Sequence, residues 1–337
     1  MKKGFVTMKD IAKATGFSTV TVSRALNNYS NIRPKTKALI QKKAEELGYL
    51  KNQMAASLRN KKTRIIGMVI TGSSNPFYAE IIDGIEDASR EKGYHMILID
   101  TLGNHKVEKQ SIESLLRKRV EGLIIGPDYE NVDYLPKLQN NKFPFVILGR
   151  NFSNIDVYEV RTDEEKGGYL ATKHLIQMGH SKIAMINSPK FTFRRNTRYD
   201  GYKKALQEAG IEFNHDLVEI TDEISDKAGY HAVKTLIKNK RDFTAVFCYN
   251  DFIAFGALKA LKEEKKNVPE DYSIIGFDNV RLSSSIAPGL STINLEKYQM
   301  GRTSFELLFD QIETDIKVTT KKIFPPALVK RKTVKPL

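Results

Sequence analysis

The sequence predicts an α/β protein in which a small all-α unit precedes a two-lobed core of doubly wound parallel sheets. Two observations lead to this prediction. Before Arg64 the spacing of apolar residues is typical of short helices, whereas after Arg64 short apolar strands alternate with helices. The alternation runs through two similar series, before and after Glu165, and each series predicts its own lobe. A chain of 337 residues is long enough for two or three such units.

The first two helices are expected on either side of a tight turn at Gly16. Thr7 stands where a helix cap belongs, and Asp10 follows three residues later, as in a capping box. Gly16 can take the left-handed backbone that a turn between helices requires. Ser18 can cap the second helix, because its hydroxyl can accept from the first free backbone N–H groups.

The outward face of the second helix suits a DNA major groove. Val22, Ala25 and Leu26 can face inward, which leaves short donors, a methyl surface and one guanidinium outside. Arginine suits guanine and small apolar groups suit thymine methyls. Helix pairs with a glycine turn also occur in proteins that do not bind DNA, so the pattern alone leaves both possibilities open. The candidate DNA-binding residues of this unit are Thr7, Ser18, Thr19, Val20, Thr21, Ser23, Arg24 and Asn27.

A third helix is expected from Pro34 to about Leu47. Proline is tolerated at the first helical position, where its missing N–H is not needed, and Gly48 can end the helix. The apolar residues available to pack on the first two helices are Ala38, Leu39, Ala44 and Leu47. The three helices together form a compact but thin core.

The charge distribution points to a polyanionic partner for this unit. Residues 1–62 hold 14 basic and 3 acidic side chains, a net charge of +11. The whole chain carries +14, so the other 275 residues contribute only +3. A basic run is most often a solvated face. Here the excess lies on the unit with the candidate reading helix, which favours contact with DNA phosphates.

Several classes of protein are disfavoured. Cys248 is the only cysteine, so no internal disulfide can form, and together with the lack of a secretory signal this favours a cytoplasmic protein. No run approaches the 18 or so apolar residues of a membrane span. The six histidines show no metal-ligand spacing, and nucleophile and phosphate-loop motifs are missing. We therefore expect no metal, no cofactor and no enzyme.

Three segments resemble the N-terminal headpiece of the LacI/GalR family of bacterial transcriptional regulators. They are Val6–Ala12, Thr21–Asn27 and Glu46–Tyr49, and the resemblance continues over nearly the whole length. It implies a helix-turn-helix headpiece at 1–48, a hinge helix or linker at 49–62 and an effector-binding and dimerisation core at 63–337. It also implies that the core has the periplasmic-binding-protein fold.

In the family, the segment matching 49–62 is a hinge helix that forms on operator DNA and pairs in the minor groove. By resemblance Leu58 takes the position of a leucine wedge between base steps, and Asn52, Ala55 and Arg59 belong to the same DNA-binding set. An inserted apolar wedge unstacks a base step, and the resulting bend brings more DNA backbone into contact. By composition alone the segment could equally be a plain flexible linker.

The core is expected to contain two lobes, about 63–162 with 292–322 and about 163–291 with 323–337. Strands are expected near 65–70, 95–99, 123–125, 145–148, 183–186, 218–220, 245–248 and 273–275. Helices are expected near 77–91, 107–118, 167–178, 198–209, 227–237, 252–262 and 299–312.

Ligands of such sheets bind at the carboxyl ends of the strands, between the lobes. Transferring the family's positions one by one gives the effector-binding candidates Asn75, Phe77, Tyr78, Arg150, Arg198, Asn250, Asp251 and Asp278. Amide and acidic groups with an arginine suit a polyol. Any one of them could instead be a helix cap or a surface charge, and Asp251 in particular starts a helix. Ile224 stands where relatives often have a stacking aromatic. Arg150 could favour a phosphorylated or acidic sugar, hydrogen-bond a neutral one or form a salt bridge.

The resemblance implies a repressor of carbohydrate genes that binds near-palindromic operator DNA as a homodimer and responds to a sugar or sugar phosphate. No leucine-heptad tail follows Leu328, which favours a dimer over a tetramer. One alternative is a sugar-binding receptor or transport component; an enzyme of sugar metabolism is a weaker one. Another is a catabolite regulator controlled by a phosphoprotein. Glu306 stands at the position aligned to that branch's phosphate-binding arginine, and Arg302 is one turn earlier.

Overall fold

A computed structural model describes residues 6–50, 62–127, 132–150, 152, 155–188, 197–314 and 319–337. The chain divides into two compact units, Met1–Thr63 and Arg64–Leu337. The hinge candidates Asn52, Ala55, Leu58 and Arg59 lie outside the described residues, so their roles remain predictions. None of the described helices combines the length and the apolar character needed to cross a bilayer.

The N-terminal unit consists of three helices around a small apolar core. They are α1 (Met8–Thr15), α2 (Thr19–Leu26) and α3 (Pro34–Glu46). The buried side chains are Ile11, Val22, Ala25, Ile40 and Ala44. The expectation that Leu39 packs inward is wrong, since this side chain is 53% exposed. Successive helical residues point about 100° apart, so burial of Ile40 turns its neighbour outward.

The first lobe is built on a parallel six-stranded sheet. The strands are β1 (Ile65–Ile70), β2 (His95–Asp100), β3 (Gly122–Ile125), β4 (Phe145–Leu148), β5 (Glu159–Thr162) and β11 (Lys321–Phe324). Their order across the sheet is β11-β5-β4-β3-β1-β2. The helices around it are α4 (Phe77–Glu91), α5 (His105–Arg117), α6 (Leu135–Asn140) and α12 (Lys297–Glu313).

The second lobe repeats this plan on a parallel four-stranded sheet. The strands are β6 (Ile183–Asn187), β7 (Val218–Ile220), β8 (Ala245–Cys248) and β9 (Ser273–Ile275), in the order β7-β6-β8-β9. The helices are α7 (Glu164–Gln177), α8 (Thr197–Glu208), α9 (Asp226–Lys238), α10 (Asp251–Glu263) and α11 (Leu282–Ser285). A separate antiparallel pair is formed by β10 (Thr292–Asn294) and β12 (Ala327–Val329). The predicted α/β class with two doubly wound parallel sheets is confirmed.

Glycines allow pairs of helices to approach closely. A Cβ on Gly201 of α8 would lie 2.1 Å from the Glu165 carbonyl oxygen, and one on Gly168 of α7 would lie 2.2 Å from the Arg198 carbonyl oxygen. Contacts this short are forbidden for real side chains, so the two backbones touch because both positions lack a Cβ. As a result, the first turns of α7 and α8 lie side by side.

Candidate DNA-binding surface and effector site

Side-chain hydrogen bonds fix the starts of α1 and α2 in the candidate DNA-binding unit. Thr7 donates from its backbone N and from Oγ1 to Asp10 Oδ2, at 2.8 and 2.7 Å. Gly16 adopts the predicted left-handed conformation with φ 74°. Ser18 Oγ accepts from the Thr21 backbone N at 3.1 Å, which fixes the start of α2. Thr7, Ser18 and Thr21 therefore shape the unit through their own hydrogen bonds.

The outer face of α2 is available to a partner. Val20 is 58% exposed, although most β-branched apolar side chains in a small unit are buried. One concave surface is lined by Thr19, Val20, Ser23, Arg24 and Tyr29. Sequence reasoning missed Tyr29, which is 49% exposed and closely follows α2. The sequence feature that could have identified Tyr29 is an aromatic residue in the polar connection between α2 and α3.

Asn27 differs from the other residues of the candidate DNA-binding set. Its Nδ2 donates to the Ser23 carbonyl at 2.8 Å, so the amide nitrogen is used to end α2. The concave surface is therefore formed by Thr19, Val20, Ser23 and Arg24 with Tyr29 beside them.

The effector candidates follow the carboxyl ends of strands in both sheets. Asn75, Phe77 and Tyr78 come after β1, Arg150 after β4, Asn250 and Asp251 after β8, and Asp278 after β9. Arg198 is the second residue of α8, the next described element after β6. Because the carboxyl ends of parallel strands share one edge of a sheet, these positions lie on the edge where ligands of open α/β sheets bind.

Arg198 is enclosed by groups of its own lobe. Its Nη2 and Nε donate to Glu164 Oε1 at 2.6 and 3.2 Å, and its Nη1 donates to the Tyr249 carbonyl at 2.7 Å. The guanidinium carbon lies 4.3 Å from the centre of the Tyr249 ring and 3.9 Å from that of Phe277. The side chain is only 7% exposed. An effector that hydrogen-bonds the Nε–Nη2 edge of this arginine must therefore displace Glu164.

Asp278 is the least satisfied acid in this region. It is buried, and its backbone has a φ of 99°, which is unusual for a residue other than glycine. Its Oδ1 lies 3.5 Å from Arg198 Nη2, and no described donor makes a hydrogen bond to that oxygen. Burial raises the pKa of Asp278 to about 7, although Arg198 acts in the opposite direction. Asp278 is thus able to accept from, or donate to, an effector hydroxyl.

Arg150 brings positive charge from the first lobe. Its Nε donates to the Pro127 carbonyl at 3.2 Å, and its charge acts to lower the pKa values of Glu164 and Tyr249 across the lobe boundary. We use the name interlobe cluster for Arg150, Glu164, Arg198, Tyr249, Phe277 and Asp278. Sequence reasoning missed Glu164, Tyr249 and Phe277 as site residues. The sequence feature that could have identified Glu164 is the acidic pair Glu164 and Glu165 at the junction of β5 and α7.

Asp251 is withdrawn from the candidate effector set. It is fully buried, and its carboxylate accepts from Ser283 Oγ at 2.6 Å, Thr292 Oγ1 at 2.6 Å and the Val280 backbone N at 2.9 Å. Burial raises the pKa of Asp251 to about 6 despite these donors. The side chain therefore holds the loop after β9 to the start of β10, a structural role that its position beside Asn250 did not reveal.

Other effector-binding candidates also make hydrogen bonds or ring contacts within the protein. Asn250 Oδ1 accepts from the Ile253 backbone N at 3.0 Å and caps α10. Asn75 Oδ1 accepts from the Phe77 backbone N at 3.0 Å. The Phe77 ring packs against the apolar cores of both lobes and meets the Tyr78 ring edge-on at 5.2 Å. Phe77 is therefore shared by the two lobes. In the described part of the chain, no group of three or more His, Cys, Asp or Glu side chains is arranged to hold a metal ion.

Comparison with known proteins agrees with both parts of this geometry. Residues 7–52 match the model for bacterial regulatory proteins of the lacI family. Residues 63–332 match the model for periplasmic binding proteins and the sugar-binding domain of the LacI family. The HTH-type transcriptional repressor PurR of Pasteurella multocida is 36% identical over 330 residues, which is 98% of each chain.

Solved structures show the same relationship. A Lac repressor dimer bound to operator and the anti-inducer ONPF has a TM-score of 0.86 at 26% identity, covering 98% of this chain and all of that one. A LacI family regulator from Enterococcus faecium with bound ribose has a TM-score of 0.73 at 33% identity, covering 81% of this chain and 99% of that one. The protein is therefore a DNA-binding transcriptional regulator rather than an enzyme, and it belongs to the LacI family of bacterial regulatory proteins.

Proposed function

We propose that the protein is a repressor of carbohydrate-utilisation genes that binds near-palindromic operator DNA as a homodimer under the control of a small sugar-type effector. The observation that carries the proposal is the exposed face of α2. Thr19, Val20 and Arg24 line that face, while the turn at Gly16 and the cap at Ser18 keep the helix in place. A rigid helix with such a face fits a major groove.

Two-fold symmetry relates the proposed dimer to its operator. Each subunit would place one α2 in one half-site, with Thr19, Val20 and Arg24 as the main base readers. The net charge of +11 on residues 1–62 would attract DNA phosphates without regard to sequence. The related Lac repressor was crystallised as a dimer on operator, which supports this arrangement. We also propose that the DNA-binding headpiece ends at residue 48 and the hinge segment at residue 62, and that Asn52, Ala55, Leu58 and Arg59 contact the minor groove. We further propose that the protein is cytoplasmic.

The effector would bind at the interlobe cluster. Asp278 offers a buried oxygen to which no described group donates a hydrogen bond. Asn75 and Tyr78 bring further polar groups after β1, and Asn250 does so after β8. Such groups suit the hydroxyls of a sugar, each of which can donate and accept. The Enterococcus faecium relative was solved with ribose, which supports a sugar-type effector. Binding there would change the relation between the lobes and so alter operator affinity.

The contacts of α12 disfavour control by a phosphoprotein. Arg302 Nη1 and Nη2 donate to Glu91 Oε1 and Oε2, both at 2.9 Å, and Glu306 lies one turn further. A phosphate would have to break this two-point pair and approach two carboxylates. We therefore favour a small-molecule effector over the phosphoprotein alternative. A receptor without DNA function would leave the α2 face and the charge of its unit unexplained.

Fluorescence anisotropy with the protein's own upstream promoter DNA tests the proposal. The titration is repeated with a scrambled duplex, at several salt concentrations and with a panel of neutral sugars and sugar phosphates. We expect tighter binding to the promoter than to the scrambled duplex, and a change in promoter affinity with one member of the panel. Equal affinity for both duplexes under all conditions would overturn the DNA assignment in favour of the receptor alternative.

A further inference from the structure

Glu164 covers the edge of the Arg198 guanidinium that is formed by Nε and Nη2. Its Oε1 accepts from both Nη2 and Nε of the arginine, and Thr197 Oγ1 donates to its Oε2 at 3.1 Å. The Glu164 side chain is 34% exposed, whereas that of Arg198 is 7% exposed. A molecule that approaches this pair from solvent therefore meets the carboxylate before the guanidinium.

Glu164 also lies within the field of a second arginine. Burial acts to raise the pKa of Glu164, but Arg198 and, to a smaller extent, Arg150 outweigh it and hold that pKa below its ordinary value. Glu164 is therefore a carboxylate at neutral pH. Arg198 and Arg150 thus both act on one partly exposed anion, Glu164, and Arg198 also lies 3.5 Å from the buried acid Asp278.

We propose that Glu164 is a specificity-determining residue that closes the Nε–Nη2 edge of Arg198 to anionic ligands, so that the effector is an uncharged polyhydroxyl compound. The inference rests on the proposed function only in placing the effector at the interlobe cluster. Sequence alone left both interpretations of the two arginines open, because arginine pairs suit phosphates as well as hydroxyls. The structure distinguishes them through the position of Glu164.

The physical reason is that an anionic ligand and Glu164 would compete for the same edge of the Arg198 guanidinium. A phosphate or carboxylate can reach Arg198 Nη2 and Nε only by breaking two hydrogen bonds to a charged group, and it would then leave Glu164 beside it as a like charge. A neutral hydroxyl avoids this repulsion, since it can donate to the partly exposed Glu164 carboxylate while that carboxylate keeps its arginine.

Glu164→Gln removes the charge but keeps an oxygen that accepts from Arg198. Glu165→Gln is the matched control, because Glu165 is the adjacent residue on α7 and faces Lys204, 3.9 Å away, instead of Arg198. Inorganic phosphate is titrated into each full-length protein by calorimetry, with ionic strength held constant by chloride so that the basic N-terminal unit contributes equally. Circular dichroism verifies that each variant is folded.

We expect Glu164→Gln to bind phosphate at least about tenfold more tightly than the wild type and Glu165→Gln, a change equivalent to about 1.4 kcal/mol. Equal phosphate affinity in all three folded proteins would overturn the proposal and leave the DNA-binding function untouched. The wild type provides a test that needs no variant. Binding of ribose 5-phosphate more tightly than ribose would also overturn it, and the reverse order would support it.

Discussion

Lys297 Nζ donates a hydrogen bond to the backbone carbonyl of Asn279 at 3.1 Å. The same ammonium donates to the Asp278 carbonyl and lies 3.4 Å from Glu80 Oε1 of α4. Lys297 begins α12 of the first lobe, whereas residues 278 and 279 belong to the loop after β9 of the second. Both loop residues have positive φ, at 99° and 49°, so a single buried lysine stabilises an otherwise unfavourable turn across the lobe boundary.

Replacing this lysine should loosen the turn. We expect Lys297→Met to lower the free energy of unfolding by about 2–4 kcal/mol, because it removes charged hydrogen bonds inside the protein. Urea denaturation measures the change, and Lys118→Met, at an exposed helix end, is the control. A Lys297→Met protein as stable as the control would show that the turn does not depend on the ammonium.

Close contact of α7 and α8 places Glu164 beside Arg198. We expect Gly201→Ala to cost at least about 1–3 kcal/mol, since its Cβ would meet the Glu165 carbonyl at 2.1 Å and push the helices apart. Gly126→Ala is the comparison, because its nearest neighbours would lie 3.6 Å away. Thermal unfolding of both variants checks the prediction, which fails if the two lose the same stability.

The buried acid Asp278 should make stability depend on pH. Its pKa is about 7 in the folded state against 3.8 as the ordinary value, so between about pH 4 and 7 the folded chain binds more protons than the unfolded chain. Stability from this group is therefore full below pH 4 and is lost as pH rises to 7. Asparagine imitates the protonated acid and does not titrate. The free energy of unfolding of Asp278→Asn should therefore increase relative to that of the wild type when the pH is raised from 5 to 8. Urea denaturation at both pH values measures the gain, which we expect to exceed about 1 kcal/mol. A pH-independent difference would contradict the assignment.

Arg24 should contribute sequence-specific binding energy. We expect Arg24→Ala to weaken operator binding by about 1–3 kcal/mol and scrambled DNA binding by much less, as for a guanine contact. Lys42→Ala removes the same charge from an exposed position of α3 and should affect both duplexes alike. Anisotropy titrations with the two duplexes give all four values. Equal losses for Arg24→Ala on both would reassign it to a phosphate contact.

The larger elements of the fold were predictable from sequence. Apolar periodicity located β1, β4 and α4 at their observed bounds, and local chemistry located the turn at Gly16 and the cap at Ser18. The short strands β5, β10, β11 and β12 were missed, because three or four residues carry little periodicity and their pairing depends on distant partners. The exposure of Leu39 was not predicted for a similar reason, since the elements packed against a helix determine which of its faces is buried.

The site was predictable only as a set of positions. Family resemblance brought Arg198 and Asp278 to attention, but it could not show that Glu164, 34 residues earlier, takes up the hydrogen bonds of the arginine. Asp251 illustrates the converse. Its neighbour Asn250 caps a helix, and nothing in the local sequence distinguishes an acid at a strand end from one buried under Ser283 and Thr292. Such pairings are tertiary and appear only once the chain is folded.

Thermodynamic linkage between operator and effector is the sharpest test of a ligand-controlled repressor. The effector affinity of the full chain is measured by calorimetry with and without saturating operator, using the uncharged sugar that shifts promoter binding most. We predict that operator changes the effector dissociation constant by the same factor by which effector changes the operator dissociation constant, within a range of about 5–150-fold. An effector affinity that is unchanged by operator would contradict this mechanism, because two uncoupled sites cannot form a ligand-controlled repressor.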